Sequence, residues 1–211
     1  KSGIFKPNVP ALTTEDKPEC QKVMELVADY MKTPLCFIDC QETDVLRWNG
    51  MTFHLNPPLY QAKNLSLALE TLNVLGIWLE ENEIQQVIDH FHWAGRYMVL
   101  RKKPLVLLDG AHNVHGITAL IHSLKDFKGK IYFSVLKEKD APHMIKLLQT
   151  ISKDITLVEI SSARLYPLEK LGYPIITVDE LISRLKDTKE DSLLCGSLYY
   201  VGEVLEKWGN V

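Results

Sequence analysis

The 211-residue sequence is short of the features that mark several large classes of protein. It has four cysteines, at positions 20, 36, 40 and 195, and none forms a CxxC pair or takes zinc-finger spacing with a histidine. No apolar stretch reaches the roughly 18–20 residues of a membrane span. The first residues contain no signal-peptide hydrophobic core. Cys36 and Cys40 lie in or beside an apolar run, so we expect them to be buried, reduced thiols. We also expect no membrane partner and a cytoplasmic location.

Neither half of the sequence carries a large excess of positive or negative charge. The first 100 residues carry 8 basic and 13 acidic groups, a net charge of −5, and the remaining residues carry 16 and 14, a net charge of +2. Neither half has the basic excess of a nucleic-acid-binding domain, so we expect no nucleic-acid partner. A GxxxxGK[ST] loop and a GxGxxG turn after a strand are absent from the sequence as well. If the protein handles a nucleotide, we expect its phosphate cradle to lie elsewhere.

The composition is that of a globular protein, with 46% apolar and 24% charged residues. The chain begins at Lys1, without methionine, inside what reads as a folded segment. We expect it to be a fragment, a processed product or one piece of a longer chain.

The first 100 residues predict helices and a hairpin. Apolar spacing indicates a helix over 18–32, and a short strand is expected at 35–38. Asn49-Gly50 lies between two strand-like runs and predicts a tight hairpin, because both residues tolerate positive φ. Two further helices are centred on apolar stripes; the stripes are Leu65, Ala68, Leu69 and Leu72, and then Ile84, Val87, Ile88 and Phe91.

The segment Arg101-Lys102-Lys103-Pro104 reads as a domain boundary, which gives domains of residues 1–100 and 101–211. After it, predicted strands and helices alternate strictly. Such alternation predicts an α/β domain with a parallel sheet that helices cover on both faces. The predicted strands are 104–109, 130–135, 155–160, 174–177 and 192–195, and the predicted helices are 117–127, 141–152, 167–171, 179–186 and 198–208.

Polar groups gather where the first of these strands ends. Asp109 closes an apolar run, and Gly110, Ala111, His112 and Asn113 follow before a helix. In open α/β sheets this edge is where ligands bind. Asp109 could cap the turn, hold a ribose hydroxyl or orient a cation. His112 could donate to an anion or an acyl oxygen, and Asn113 is expected to cap the helix.

Other polar clusters have a functional and a purely structural interpretation. Arg96 could bind a phosphate or form a surface salt bridge. The Gly196-Ser197 turn could cradle an anion, or Ser197 could simply cap a helix. Lys139-Asp140 follows a strand, yet a solvated charge pair explains it equally well. Gln61 and Asn64 alone read as caps, and the histidines show no metal-ligand spacing.

Six short segments resemble motifs of the folylpolyglutamate synthase and dihydrofolate synthase family of the Mur ligase superfamily. They follow one another along the chain in the same order as the family's motifs. Together they span essentially the whole chain. D-G-A-H-N at residues 109–113 matches outright and favours the folate branch over other Mur ligases. The other five are residues 1–7 (K-A-G-I-x-K-P), 60–64 (H-Q-x-x-N, with Tyr60 for His), 93–96 (W-P-G-R, with Ala94 for Pro), 139–140 (K-D) and 196–199 (G-S-L-Y).

The resemblance implies an amide-forming ligase that uses ATP and Mg²⁺. A carboxylate of folate or of dihydropteroate would take the γ-phosphoryl group, and the amino group of L-glutamate would attack the resulting acyl phosphate. It also implies that 101–211 is a Rossmann-like C-terminal domain and 1–100 the closing part of a central ATPase domain. Asn64, Arg96 and Asp109 would contact ATP, and Asp109, His112 and Ser197 would bind glutamate. His112 and Lys1 are the catalytic candidates, Lys1 aligning with a lysine that the family carbamylates, and no metal ligand is assigned.

The family's P-loop, metal-holding acids and most of its folate site would precede Lys1. We therefore expect little or no ligase activity from this chain alone, and the missing N-terminal half is a candidate partner beside the small-molecule substrates. Both family activities stay open, because pterin-side determinants lie mainly in that half. A rival interpretation is a non-catalytic nucleotide-binding or partner module. A dinucleotide-dependent dehydrogenase is a weaker one, since its glycine fingerprint is missing.

Overall fold

The computed structural model describes residues 2–124 and 126–209. The chain divides into two compact units, Lys1–Phe91 and His92–Val211. The boundary predicted at 100/101 falls inside a strand of the second unit. The assignment of the two parts to an ATPase domain and a C-terminal domain remains a prediction.

The first unit contains a parallel strand pair and a hairpin. Strand β1 (Ala11–Thr13) pairs with β2 (Leu35–Phe37), and helix α1 (Pro18–Met31) connects them. Strands β3 (Val45–Trp48) and β4 (Met51–His54) form the hairpin. Asn49 and Gly50 have φ values of 45° and 81°, so the predicted turn is confirmed.

Two helices complete the first unit, α2 (Gln61–Val74) and α3 (Glu81–His90). A capping box between Glu80 and Glu83 fixes the start of α3. The buried core joins the hairpin to both helices; its members are Leu46, Phe53, Leu55, Ala62, Leu69 and Ile84.

The second unit is built on a six-stranded sheet in the order β5-β6-β10-β7-β8-β9. All neighbouring strands are parallel except β5, which runs antiparallel to β6. The predicted α/β class with a mostly parallel sheet is thus confirmed. The strands are β5 (Met98–Lys102), β6 (Leu105–Asp109), β7 (Lys130–Phe133), β8 (Ile155–Glu159), β9 (Ile175–Thr177) and β10 (Ser192–Cys195).

Helices cover both faces of this sheet. Helices α4 (Val114–Ser123) and α5 (Ala141–Leu148) share a buried cluster with Leu107 and Phe133, while α6 (Val178–Asp187) and α7 (Leu198–Trp208) share another with Leu108 and Leu194. A short 3₁₀ helix spans Leu168–Leu171.

Three predictions need correction here. Cys36, predicted to be buried, is exposed, and Cys40 is only partly buried. Arg101 and Lys102, predicted to open a domain boundary, belong to β5 and pair with β6. Helix α4 begins at Val114 rather than at 117, because Asn113 caps it, and it ends at Ser123 rather than at 127.

Candidate active site

The candidate site lies at the carboxyl ends of β6, β10 and β7. Asp109 of β6 is in register with Cys195 of β10, which is in register with Phe133 of β7. The turns that follow these three residues therefore share one edge of the sheet. The chain leaves β6 toward α4 on one face and leaves β10 toward α7 on the other. Connections that leave neighbouring strands on opposite faces open a crevice at the sheet edge, and α/β proteins bind ligands in such crevices.

Asp109 is buried, with 2% of its surface exposed. Its Oδ1 accepts a hydrogen bond from the Ala111 N–H at 2.7 Å, and its Oδ2 accepts one from the Tyr97 N–H at 2.7 Å. Asp109 therefore caps two loops. One is its own turn, through Ala111, and the other lies 12 residues earlier in the chain, through Tyr97. Proximity to Asp109 adds to burial in raising the pKa of the Tyr97 hydroxyl.

Arg96 lies against the same strand end. The Gly110 N–H donates to the Gly95 carbonyl at 2.7 Å, which seats the 95–97 loop on the β6 turn. A Cβ on Gly110 would lie 2.6 Å from Arg96 Nη1 and 2.4 Å from Leu198 Cδ2, so a larger residue would displace the ends of these two side chains. The ion pairs formed by the described residues do not involve Arg96. Its guanidinium therefore stands at the candidate site, where it could meet a phosphate.

His112 is half-buried, and its Nδ1 lies 2.9 Å from the Gly110 carbonyl oxygen. Because a carbonyl can only accept, Nδ1 carries the hydrogen, and Nε2 is the nitrogen left for a ligand. The Asn113 Oδ1 accepts from the Gly116 N–H at 2.7 Å, so the predicted cap of α4 is confirmed.

Ser197 caps α7. Its Oγ accepts from the Tyr199 N–H at 3.2 Å, and the residue is 1% exposed. Gly196, with φ of 117°, makes the turn before it. Burial, and secondarily Asp109, raise the pKa of the neighbouring Cys195 thiol, which keeps it protonated. Ser197 is thus observed as a helix cap, and the N-terminus of α7 lies at the edge of the sheet that forms the candidate site.

Asp140 and Lys139 follow β7. The Asp140 side chain caps α5 by accepting from the His143 N–H at 3.3 Å.

Arg164 is a second guanidinium of this unit. It pairs with Glu138 and lies 5.7 Å from the centre of the Tyr199 ring, in the first turn of α7. No local pattern singles out Arg164 or Tyr97 in the sequence, because the residues that they contact are distant along the chain.

The remaining predicted residues belong to the first unit. Asn64 is exposed in the first turn of α2 and donates to Gln61 Oε1 at 2.7 Å. Lys1 lies outside the described residues. A hydrogen bond from Lys63 to Asp16, 2.6 Å long, raises the pKa of that lysine.

A surface pocket of about 480 Å³ lies beside this pair. Its lining includes the carboxylates of Glu15, Asp16, Asp39 and Glu42, which would repel phosphates.

Known proteins resemble the chain over nearly its whole length. It is 26% identical to a dihydrofolate synthase/folylpolyglutamate synthase of Bacillus subtilis, over 98% of this chain and 56% of that protein. It is 30% identical to a folylpolyglutamate synthase of Lacticaseibacillus casei, over 92% of this chain and 49% of that protein. The chain is homologous to the folylpolyglutamate and dihydrofolate synthases. No protein-family model matches it.

The fold agrees with this homology. A crystal structure of a bifunctional folylpolyglutamate synthase/dihydrofolate synthase from Yersinia pestis, complexed with AMPPNP and Mn, aligns with a TM-score of 0.80 at 21% identity. The alignment covers 99% of this chain and 55% of that one. The chain thus spans about half the length of the folate ligases that it matches.

Within the described parts of this folate-ligase homologue, no three His, Cys, Asp or Glu side chains are grouped as metal ligands. None of their helices is long and apolar enough to span a membrane.

Proposed function

We propose that this chain is the C-terminal portion of an ATP-dependent ligase that adds L-glutamate to folate or dihydropteroate. A carboxylate oxygen of the folate substrate attacks the γ-phosphorus of ATP, and ADP leaves. The amino nitrogen of glutamate then attacks the acyl carbon, and it loses a proton as inorganic phosphate departs. Homology to named folate ligases supports this reaction, and the Yersinia pestis relative binds an ATP analogue with manganese.

One structural observation carries the proposal. A guanidinium, an imidazole and a helix N-terminus meet at the carboxyl edge of one parallel sheet, where the chain direction reverses. Packing of the core does not require this combination. It suits a reaction in which an anionic phosphoryl group and an anionic amino acid must be held together.

Arg96 is assigned to a phosphate of ATP. Its guanidinium can donate two parallel hydrogen bonds to phosphate oxygens and offset charge on the transferring group. Asn64 of the first unit is proposed to contact ATP as well. We propose that Mg²⁺ comes to the site bound to the phosphates of ATP.

His112 and the α7 N-terminus are assigned to glutamate. With Nδ1 held by the Gly110 carbonyl, Nε2 is the ring nitrogen proposed to accept the proton that the attacking amine loses. The free N–H groups in the first turn of α7 favour a carboxylate, and Ser197 shapes that turn. Lys1 remains a proposed catalytic residue.

The first unit is proposed to be completed by the N-terminal half of the ligase. Its parallel sheet has two strands of three residues each, while parallel sheets are normally buried on both faces. Val23, Leu26 and Tyr30 of α1 are exposed by 56%, 64% and 84%. Such surfaces are expected where further strands and helices pack. Because the cysteines are unpaired, we propose a cytoplasmic location.

The test measures ADP release in a single turnover with ATP, Mg²⁺, glutamate and either folate substrate. We expect turnover from the longer protein that contains this chain and little or none from this chain alone. Full-rate turnover by the isolated chain would refute the fragment assignment. Nucleotide binding without ligation by the longer protein would instead favour a non-catalytic module.

His112→Ala in the longer protein tests the site. We expect turnover to fall by about 10²–10⁴-fold, the range for a general base, with little loss of stability. His115→Ala is the matched control, because His115 is exposed one residue into α4. A His112→Ala protein that turns over at the control rate would remove His112 from the reaction.

A further inference from the structure

We propose that Leu198 is a positioning residue for Arg96: its side chain holds the guanidinium over the β6 turn before a phosphate binds. The inference rests on the proposed function for the phosphate that Arg96 would meet. The positioning itself rests only on the geometry of the second unit.

Leu198 is a large apolar residue that the core of the second unit does not use. It is the first residue of α7, and 48% of its surface is exposed. Neither of the two buried clusters of this unit includes it. A single exposed leucine is ordinary. This one lies at the carboxyl edge of the sheet, where its side chain has a charged neighbour.

The side chain of Leu198 reaches over Gly110. Measured from the point where a Cβ would stand on Gly110, Leu198 Cδ2 lies 2.4 Å away and Arg96 Nη1 lies 2.6 Å away. The two atoms can be no farther apart than these two distances together. The leucine methyl group and the guanidinium are therefore neighbours above the same glycine, which leaves room for both.

Polar partners do not account for the position of this guanidinium. The ion pairs formed by the described residues do not include Arg96. Its backbone N–H donates to the Trp93 carbonyl at 3.0 Å, a bond that fixes the loop and not the side chain. An arginine side chain has much rotamer freedom to lose. Packing, in which Leu198 takes part at the terminal nitrogen, is the interaction left to limit its movement.

Two physical effects connect this packing to the binding of a phosphate. A guanidinium that is ordered beforehand binds more tightly, because less conformational freedom is lost on binding. An apolar neighbour also keeps water from one side of the charge, which strengthens the attraction to an anion. Removal of the Leu198 side chain should therefore weaken the use of ATP without unfolding the protein.

The first experiment uses NMR on this chain without a ligand. In the wild type we expect an NOE between a Leu198 methyl group and the Gly110 Hα, and an Arg96 Nε–Hε group that is ordered on the ps–ns timescale. In Leu198→Ala this group should become as mobile as that of Arg47, an exposed arginine of β3. A missing NOE, or equal order of Arg96 in the two proteins, would overturn the proposal. Unfolding of Leu198→Ala would overturn it too, because the residue would then be structural.

Two further variants separate positioning from a general loss of apolar surface. Leu198→Met keeps an apolar side chain of similar volume, so it should preserve the order of Arg96. Ile175→Ala is the matched control, because Ile175 is 42% exposed on β9, the edge strand farthest from β5. A loss of Arg96 order in this control equal to that in Leu198→Ala would contradict a specific role for Leu198.

The second experiment measures kcat/KM for ATP in the longer protein. Leu198→Ala should lower it by about threefold to tenfold, as expected when one long side chain must be ordered on binding. In an Arg96→Ala background the same change should cost less than about twofold, because residues that act as a unit are not additive. An equal loss in both backgrounds, or no loss in either, would overturn the proposal. If the longer protein has no ligase activity, the proposed function fails while the NMR result stands.

Discussion

Replacing Gly196 with alanine should destabilise the second unit strongly. Gly196 turns the chain from β10 into α7 with φ of 117°, a value that favours glycine. A Cβ there would lie 2.2 Å from the Ser134 carbonyl oxygen and 2.6 Å from Phe133 Cε2. Neither neighbour can yield easily, since both residues are fully buried and the Ser134 N–H is bonded to the Cys195 carbonyl.

The magnitude follows from two contributions. Positive φ costs an L-residue roughly 1–2 kcal/mol. Forcing a methyl group into a packed interior costs roughly 1–3 kcal/mol more. We therefore expect Gly196→Ala to lower the free energy of unfolding by about 2–5 kcal/mol, a large part of the roughly 5–15 kcal/mol typical of a domain.

Urea denaturation followed by circular dichroism measures this loss, and Gly202→Ala is the matched control. Gly202 lies within α7, and a Cβ there would meet no atom within 4 Å. Alanine should raise the free energy of unfolding by about 1 kcal/mol at that position, because it forms helix better than glycine. A Gly196→Ala protein as stable as the control would refute the reasoning.

Three further predictions concern the same unit. Tyr200→Phe should leave the free energy of unfolding unchanged or raise it by about 1 kcal/mol, as measured by urea denaturation at pH 7. The reason is that the buried hydroxyl has no hydrogen-bond partner within the described residues. A loss of more than about 1 kcal/mol would contradict this reasoning. Burial raises the pKa of Tyr97, Tyr132 and Tyr200, so their contribution to stability is full below pH 10 and is lost as the pH rises toward the raised values. Alkaline urea titrations should show this fall, less steeply in Tyr200→Phe, and an identical slope would contradict the assignment. Asn113→Ala should lower the free energy of unfolding by about 1 kcal/mol through loss of the α4 cap, and calorimetry showing no shift in Tm would speak against it.

The architecture of the second unit could be predicted from the sequence because its strands and helices alternate with clear apolar patterns. Strand β5 was missed because its Arg101 and Lys102 belong to a charged segment that was interpreted as a domain boundary. Charge is tolerated there, since β5 is the antiparallel edge strand of the sheet. The start of α4 was placed three residues too late because Val114, which has helical spacing to Ile117, was interpreted as part of the preceding glycine-rich turn.

The candidate site could be located from the sequence but not described in detail. The rule that ligands bind at strand carboxyl ends brought Asp109, His112 and Ser197 to one edge, as the sheet register shows. The hydrogen bond from Tyr97 to Asp109 joins residues 12 positions apart, and no periodic pattern encodes it.

The groups at this edge bear on the proposed division of the ligase into two halves. The side-chain oxygens of Asp109 and Ser197 accept backbone N–H groups of the turns at this edge. Arg96 brings one guanidinium to the end of β6, and the N-terminus of α7 lies at the same edge. A transferring phosphoryl group carries charge on three oxygens and is normally met by several cations at once. We propose that further positive charge comes from the part of the ligase expected to precede this chain, and the single-turnover experiment tests that dependence.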